Sequence, residues 1–264
     1  PAQLRQGVHA VHAADTIGTA ITNPASHQEL LGYVSDAGPV QIQQALHAAA
    51  QAQTAWQASP AELRASLLQT AAELFETQMQ PLMSLLMREA GKTAANAVSE
   101  VREAVDFLRY YAAQIQRQAD ADMLAPGIGP VVCISPWNFP LAIFTGQVAA
   151  ALGAGNVVLA KPAEQTPLIA LEAVRLLHQA GIAPDVLQLL PGRGETVGAA
   201  LVAVFHAAMG HWALAATSAL RLACAASLGV ALTVTTRSGD LVDVLEWLLA
   251  PLRPLGVQPA RLSL

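Results

Sequence analysis

Apolar positions follow two different spacings along the chain, and the change between them divides it into two parts. From about residue 40 to residue 114, alanine, leucine and phenylalanine recur every three or four residues, as on one face of an amphipathic helix. This spacing predicts helical segments over residues 39–57, 61–87 and 100–111. From residue 131 onward, short apolar runs typical of buried strands alternate with helical patterns. We therefore expect a helical layer followed by a sheet.

The second part of the chain predicts a β-α-β-α-β unit. Its strands are expected at residues 131–134, 156–160 and 186–190, and its helices at residues 141–152 and 167–180. Proline or glycine stands at the expected helix boundaries, at Pro140, Gly153, Gly155, Pro167 and Gly181. Thr166 is a suitable N-cap for the second helix. The fold class predicted is α/β, with a helical N-terminal layer and a parallel, Rossmann-like sheet.

Polar turns follow each predicted strand of this unit. Crossovers between parallel strands are almost always right-handed, so consecutive strands point the same way and their carboxyl ends share one edge of the sheet. Asn138, Lys161, Glu164 and the glycine-rich turn 192–198 are therefore expected to face one crevice. Ligands of open α/β sheets bind at that edge.

Each of these polar side chains has a chemical interpretation and a simpler structural one. Asn138 could stabilise an oxygen that gains negative charge during a reaction, or it could cap the following helix. Lys161 and Glu164 could hold the hydroxyls of a ribose, or they could form a solvated pair in a loop. The spacing of the residues leaves both interpretations open.

The glycine-rich turn does not match the standard dinucleotide fingerprint. Its glycines at positions 192, 194 and 198 are spaced one residue wider than in G-x-G-x-x-G. No acidic residue follows at the usual distance of about 20 positions. The interval from Gly194 to Gly198 is close to one helical turn and would let backbone approach a flat group such as an adenine.

Three blocks of sequence resemble the aldehyde dehydrogenase superfamily. They read GPVVCISPWNFPLAIFTGQVAAALGAGNVVLAKPAEQTPLIA with LLPGRGETVGA, REAGKTAANAVSEVREAVDFLRYYAAQ, and NPASHQELLGYV. Within that superfamily they are most similar to the L-glutamate γ-semialdehyde (pyrroline-5-carboxylate) dehydrogenase module of bifunctional proline utilisation proteins of the PutA type. The similarity spans roughly residues 20–202. It implies NAD as the cofactor and a small aldehyde as the substrate, oxidised to glutamate in proline catabolism.

The resemblance also implies roles for individual residues. Asn138 would stabilise the oxyanion of the thiohemiacetal and thioester steps. Lys161 and Glu164 would bind the adenosine ribose, and Gly194 and Gly198 would flank the adenine. The cofactor cleft would be lined by Ile134, Ser135, Pro136 and Trp137. In this family a cysteine thiolate attacks the aldehyde, hydride passes to the nicotinamide, and water releases the acid.

After about residue 201 the family's pattern stops. The FTGS turn, the glutamate of the E-[LT]-G-G segment and the Gln-Arg-Cys nucleophile are not found in residues 202–264. Cys224 lies in an alanine-rich run and Cys133 inside a strand, so both are predicted to be structural. Residues 1–202 are expected to form a partial NAD-binding domain. Residues 203–264 are expected to form a divergent α/β tail, faintly similar to the C-terminal region of long PutA proteins.

The sequence is compatible with two functions. By family it is an NAD-dependent aldehyde dehydrogenase, although the segments carrying the nucleophile and the glutamate are missing. The alternative is a noncatalytic remnant that binds a nucleotide or serves in oligomerisation. The chain begins without methionine, so we expect a piece of a longer protein.

The composition of the chain argues against several classes of binding partner. A net charge of −5 and a pI of about 5.8, without any basic run, argue against nucleic-acid binding. Two cysteines without a pairing pattern suit a reducing cytoplasm. The histidines show no metal-binding spacing, since His206 and His211 are five apart. We predict no metal and no membrane span, and homo-oligomerisation is possible.

Overall fold

The computed structural model describes residues 18–201, which begin with a β-hairpin. Strand β1 (Thr19–Asn23) pairs antiparallel with β2 (Ser26–Val34). Asn23 closes the turn between them, because its Oδ1 accepts the N–H of Ala25 at 2.9 Å. Glu29 on β2 accepts a hydrogen bond from Arg88 Nε at 2.8 Å, which ties the hairpin to the helical layer.

The helical layer was predicted correctly as a region, with one break that the apolar pattern did not indicate. Its helices are α1 (Pro39–Gln57), α2 (Ala61–Thr77), α3 (Met79–Glu89) and α4 (Ala94–Asp120). The segment predicted as continuous over residues 61–87 is divided at Gln78. Pro81 accounts for the break, since it has no N–H to donate to the carbonyl of Thr77 and its ring would crowd that carbonyl. Thr93 is the N-cap of α4, and its side chain accepts the N–H of Asn96 at 3.2 Å.

The sheet confirms the predicted parallel β-α-β-α-β unit. Strands β3 (Val131–Ile134), β4 (Val158–Lys161) and β5 (Leu187–Leu189) lie side by side in that order, and both pairings are parallel. Helix α5 (Ala142–Gly153) joins β3 to β4, and helix α6 (Pro167–Gln179) joins β4 to β5. Gly181 has a φ of +109°, as expected for a glycine just past a helix end.

The main core lies between the helical layer and the sheet. Helix α4 packs on α2, α3 and α5. Contact between α4 and α5 is close at Gly146, where a Cβ would stand 3.0 Å from the ring of Phe107. The largest fully buried side chains are Phe75, Phe144, Leu68, Leu82, Leu86, Leu108, Leu141, Leu152, Leu159, Ile169, Leu176 and Leu177. Small alanines between these large side chains let the layers approach.

Buried polar side chains also connect the helical layer to the sheet. Gln53 on α1 donates from Nε2 to the carbonyl of Gly155 at 2.9 Å and accepts the N–H of Val157 at 2.9 Å. Arg64 on α2 donates from Nε to the carbonyl of Gly153 at 3.0 Å. These contacts satisfy backbone groups at the end of α5 and at the entrance to β4, where no regular partner is in reach.

The helices between residues 18 and 201 include none that combines the length and the apolarity needed to cross a membrane.

Candidate functional site

The carboxyl ends of the three parallel strands are aligned at one edge of the sheet. Ile134, the last residue of β3, is paired with Lys161, the last residue of β4. The ladder continues beyond the strands, since the N–H of Ser135 donates to the carbonyl of Lys161 at 3.1 Å and that of Leu190 to Ala160 at 2.8 Å. The three predicted loops, 135–138, 161–164 and 192–198, therefore leave the sheet from the same edge.

The loop after β3 is anchored at its start and exposed at its tip. Ser135 is buried, and its Oγ lies 3.5 Å from Gln147 Oε1 on α5. Pro136 is half-buried, whereas Trp137 is 57% exposed. Asn138 is exposed, and its side chain makes no hydrogen bond to any residue between 18 and 201.

Glu100, and not Asn138, caps the helix that follows this loop. Glu100 lies on α4 and is 1% exposed, and its Oε1 accepts the N–H groups of Leu141 at 2.9 Å and Ala142 at 3.4 Å. The interpretation of Asn138 as a helix cap is therefore wrong. A carboxylate at a helix N-terminus is also favoured by the helix dipole. The exposed carboxamide of Asn138 stays available at the rim.

Lys92 pairs with the same glutamate. Its Nζ lies 2.9 Å from Glu100 Oε2 and 4.2 Å from the centroid of the Phe139 ring. The Lys92 side chain is 13% exposed, so its charge is largely shielded from solvent. A nearby cation stabilises a buried carboxylate, and Lys92 supplies one to Glu100.

Lys161 is enclosed at the end of β4, while Glu164 is exposed. Lys161 is 3% exposed, and its Nζ donates to the carbonyl of Pro162 at 2.8 Å. Burial lowers the pKa of Lys161, and the carboxylates of Glu164 and Asp36 oppose that shift. The alternative of a solvated loop pair does not fit Lys161. Asp36, on the segment after the hairpin, is a charged neighbour that the sequence patterns did not indicate.

The glycine-rich turn packs on the stem of Lys161. Residues Gly194–Gly198 form a π-helical turn. A Cβ at Gly198 would lie 3.6 Å from Cδ and Cε of Lys161, which is ordinary contact, whereas one at Gly194 would meet nothing within 4 Å among residues 18–201. Gly192 has a φ of +141°, which side chains disfavour. The turn thus reaches the second predicted loop at Gly198 and leaves open space at Gly194.

A second buried glutamate caps the other helix of the unit. Glu89, the last residue of α3, accepts the N–H of Leu168 at 2.7 Å and that of Ile169 at 2.8 Å. Thr166 is at the N-cap position as predicted, but its hydroxyl makes no cap hydrogen bond and has no partner within residues 18–201. Burial raises the pKa of Glu89 to about 7, and the two N–H groups act against that shift.

The two buried glutamates that the sequence analysis missed, Glu100 and Glu89, occupy positions that indicate their burial. Glu100 continues the apolar stripe of α4, three residues after Ala97 and one before Val101, on the buried face. Glu89 similarly follows Leu82 and Leu86 along α3. A carboxylate within an apolar stripe indicates a buried acceptor that needs donors.

The sequence of the chain matches a known protein family. The family model for the aldehyde dehydrogenase family matches residues 11–209. The chain belongs to the aldehyde dehydrogenase family. The resemblance proposed from the three sequence blocks is thereby confirmed.

Individual members of the aldehyde dehydrogenase family are similar to this chain in sequence and in structure. The bifunctional protein PutA of Klebsiella aerogenes is 60% identical over 181 residues, covering 69% of this chain and 14% of that protein. The 1-pyrroline-5-carboxylate dehydrogenase of Bacillus thuringiensis (strain Al Hakam) is 36% identical over 193 residues, covering 68% of this chain and 37% of that protein. A crystal structure of 1-pyrroline-5-carboxylate dehydrogenase from Thermus with bound NAD is similar with a TM-score of 0.66 and 36% identity, covering 70% of this chain and 38% of that one. The chain thus spans well under half the length of these relatives.

Cys133 is unsuited to the nucleophilic chemistry of the aldehyde dehydrogenase family. It is 5% exposed within β3, and burial raises the pKa of its thiol to about 12. At neutral pH the thiol is therefore protonated and enclosed, so it cannot attack a carbonyl. Its structural interpretation agrees with this burial, while Cys224 lies outside the described residues.

Proposed function

We propose that residues 18–201 form the cofactor-binding part of an NAD-dependent L-glutamate γ-semialdehyde dehydrogenase of proline catabolism, and that this polypeptide alone does not turn over. The observation that carries the first half is the common rim, where Ile134 pairs with Lys161 and Gly198 packs on the Lys161 stem. The name of the 1-pyrroline-5-carboxylate dehydrogenase relative supplies the substrate class.

The residues at the rim fit a nucleotide. The ammonium of Lys161 uses one donor on Pro162 and keeps two others, and the exposed carboxylate of Glu164 can accept both hydroxyls of a ribose. Space above Gly194 would admit the flat face of an adenine. Ile134, which is 39% exposed, would line the cleft together with Ser135, Pro136 and Trp137.

Asn138 is the candidate for stabilising the oxyanion. Its side chain is exposed at the rim, and Glu100 has already satisfied the helix that Asn138 could have capped. A carboxamide N–H held toward a carbonyl oxygen stabilises the negative charge that develops there. When bound, NAD would accept the hydride.

The second half of the proposal rests on the missing nucleophile. Cys133 is buried and protonated, and the family's Gln-Arg-Cys and E-[LT]-G-G segments are not found in residues 202–264. In this division residues 1–202 are a partial NAD-binding domain and residues 203–264 a divergent tail, which lies outside the described residues. The free, buried thiol of Cys133 suits a cytoplasmic location.

A second candidate function is a noncatalytic nucleotide-binding or oligomerisation module. It is favoured by the same combination of a formed rim and a missing nucleophile. It differs from the first in that the rim would bind a nucleotide without any reaction occurring in the assembled protein.

Calorimetry with NAD and an assay of NADH formation test both halves. The full chain should bind NAD saturably, Glu164→Gln should weaken that binding roughly tenfold, and Glu103→Gln on the exposed face of α4 should leave it unchanged. The semialdehyde with NAD should give no NADH above a blank. Absence of NAD binding would overturn the nucleotide site, and steady NADH formation would overturn the proposed inactivity.

A further inference from the structure

We propose that Lys92 and Glu100 are a positioning pair that holds the loop carrying Asn138, with Lys92 acting through the ring of Phe139. The significance of this pair for an oxyanion rests on the proposed function of Asn138. The holding of the loop itself does not, and it can be measured without cofactor or substrate.

Glu100 fixes the loop from its helical side. Its two oxygens differ, because Oε1 accepts the N–H groups at the start of α5, whereas Oε2 accepts no hydrogen bond within residues 18–201 and is held by the ion pair with Lys92 Nζ at 2.9 Å. The side chain is 1% exposed, so water does not compete for either oxygen. A buried carboxylate with these partners has one orientation, and the first residues of α5 are fixed with it.

Lys92 extends this constraint into the loop. Its ammonium lies 4.2 Å from the centroid of the Phe139 ring, within the range of a cation–π contact. Phe139 is 42% exposed, so packing alone gives its ring little reason to adopt one orientation. A cation held by a buried carboxylate supplies that reason. Phe139 is also the residue directly after Asn138.

The other side of the loop is fixed by the sheet. The N–H of Ser135 donates to Lys161, and Ser135 itself is buried. Three residues, 136–138, therefore separate two anchors. Trp137 and Asn138 are exposed and gain little from packing, so the position of the Asn138 carboxamide depends on the anchors at either end. Catalytic groups displaced by about 1 Å can lose roughly a hundredfold in rate, which makes such anchoring consequential.

Capping of α5 does not by itself require Lys92. Glu100 Oε1 alone accepts the two N–H groups, so the cap hydrogen bonds do not involve Lys92. Removing one partner of a buried ion pair is nevertheless costly, so Lys92→Met is expected to destabilise the chain as well. The contact that only Lys92 makes is the one with the loop, through Phe139. This is the observation that distinguishes a positioning role from a general contribution to folding.

Nuclear magnetic resonance of the full chain tests the proposal. The readouts are the side-chain amide of Asn138 and the indole N–H of Trp137, identified by their loss in Asn138→Asp and Trp137→Phe. The reference is the indole N–H of Trp56, which donates to the carbonyl of Leu152 far from the loop. Lys92→Met and Phe139→Leu should each shift or broaden both loop signals and leave the Trp56 signal in place.

Conservative and matched variants complete the test. Lys92→Arg keeps a cation for both contacts and should restore the wild-type loop signals. Arg88→Met removes a neighbouring cation that pairs with Glu29 on the hairpin and should leave the loop signals unchanged. If Lys92→Met does not fold, Phe139→Leu still decides, since it retains the ion pair.

Loop signals that stay unchanged in folded Phe139→Leu overturn the positioning role, as does Lys92→Arg behaving like Lys92→Met. Failure of the proposed function would be seen elsewhere, as a lack of NAD binding in the wild-type chain. A chain that binds no NAD but shows the shifts supports the positioning pair and removes its assigned purpose.

Discussion

At the scale of single residues, burial decides the protonation of two described side chains. Cys133 is enclosed in β3, and burial raises the pKa of its thiol to about 12. Glu89 is enclosed at the end of α3, but two backbone N–H groups face its oxygens, and its pKa of about 7 remains within the physiological range. Of these two, Glu89 is the one whose charge can change under ordinary conditions.

Glu89 should make the free energy of unfolding fall as the pH rises. Its carboxyl binds a proton more tightly in the folded chain, with a pKa of about 7 against 4.5 for an ordinary glutamate. The folded chain therefore holds an extra proton between those values, so the contribution is complete below about pH 4.5 and is lost as the pH rises through 7. The loss should reach up to about 3 kcal/mol, since one pKa unit corresponds to about 1.4 kcal/mol.

Urea unfolding of the wild type and of Glu89→Gln at pH 5 and pH 8 measures this effect. Glutamine does not titrate, so the contributions of all other titrating groups to the pH dependence cancel when the two proteins are compared. The wild type should lose stability relative to Glu89→Gln between the two pH values. An equal difference at both would contradict the raised pKa of Glu89.

At the scale of elements, helices α5 and α6 are capped by carboxylates from other helices. Glu100 on α4 serves α5 and Glu89 on α3 serves α6, so the helical layer satisfies the first N–H groups of both crossover helices. Thr166 occupies the N-cap position of α6 without accepting a cap hydrogen bond. The cap of α6 is thus a tertiary contact.

Substitutions at Glu89 and Thr166 should separate these two possible caps. Glu89→Ala leaves the N–H groups of Leu168 and Ile169 buried without an acceptor and should lower the free energy of unfolding by about 2–4 kcal/mol. Thr166→Val keeps the shape and should change it by less than about 0.5 kcal/mol, whereas loss of a capping hydroxyl costs about 1 kcal/mol. Urea titration measures both values. A larger cost for Thr166→Val than for Glu89→Ala would show that the hydroxyl is the cap.

The elements that could be predicted from sequence are those defined by local spacing. The apolar runs at residues 131–134 and 156–160 and the glycine at position 181 indicated strands and a helix end that the structure contains. The hairpin β1–β2 was not predicted, because most of its residues are exposed and buried and exposed positions do not alternate regularly along its strands. The division at Gln78 could have been read from Pro81, which was hidden within a continuous leucine pattern.

The candidate site was predictable only as far as topology determines it. Parallel strands had to bring Asn138, Lys161 and Glu164 to one edge. The residues behind that edge were not predicted, because Glu89 acts on Leu168 across 79 positions and Glu100 on Leu141 across 41. The position of each glutamate in an apolar stripe indicates that it is buried, but contacts at such separations leave no trace in the sequence of which N–H groups it accepts.

At the scale of the whole molecule, the helical layer and the sheet share buried hydrogen bonds and one core. Gln53 on α1 contacts both Gly155 and Val157, more than 100 positions away. Because the N–H of Val157 has a side chain as its acceptor, the entrance to β4 depends on α1. The two layers are therefore expected to lose structure together.

Gln53→Leu should expose that dependence. The substitution removes the acceptor of the Val157 N–H and the donor to Gly155, so the amide of Val157 should exchange with solvent faster and the free energy of unfolding should fall by about 2–3 kcal/mol. Hydrogen exchange of peptides covering residues 153–158 measures the first effect. Gln51→Leu makes the same change at an exposed position of α1 and should leave exchange as in the wild type. Unchanged exchange in Gln53→Leu would contradict the coupling.

Because Glu100 and Glu89 cap α5 and α6, the loops at the rim do not have to supply the caps of these helices. In many α/β proteins the side chain of the residue that precedes a crossover helix accepts a backbone N–H of its first turn. Here the two carboxylates come from the helical layer, so the residues leading into α5 and α6 do not have to cap these helices with their own side chains. Substitutions of the exposed residues in the loops at 135–138 and 161–165 should therefore leave the beginnings of the two helices intact.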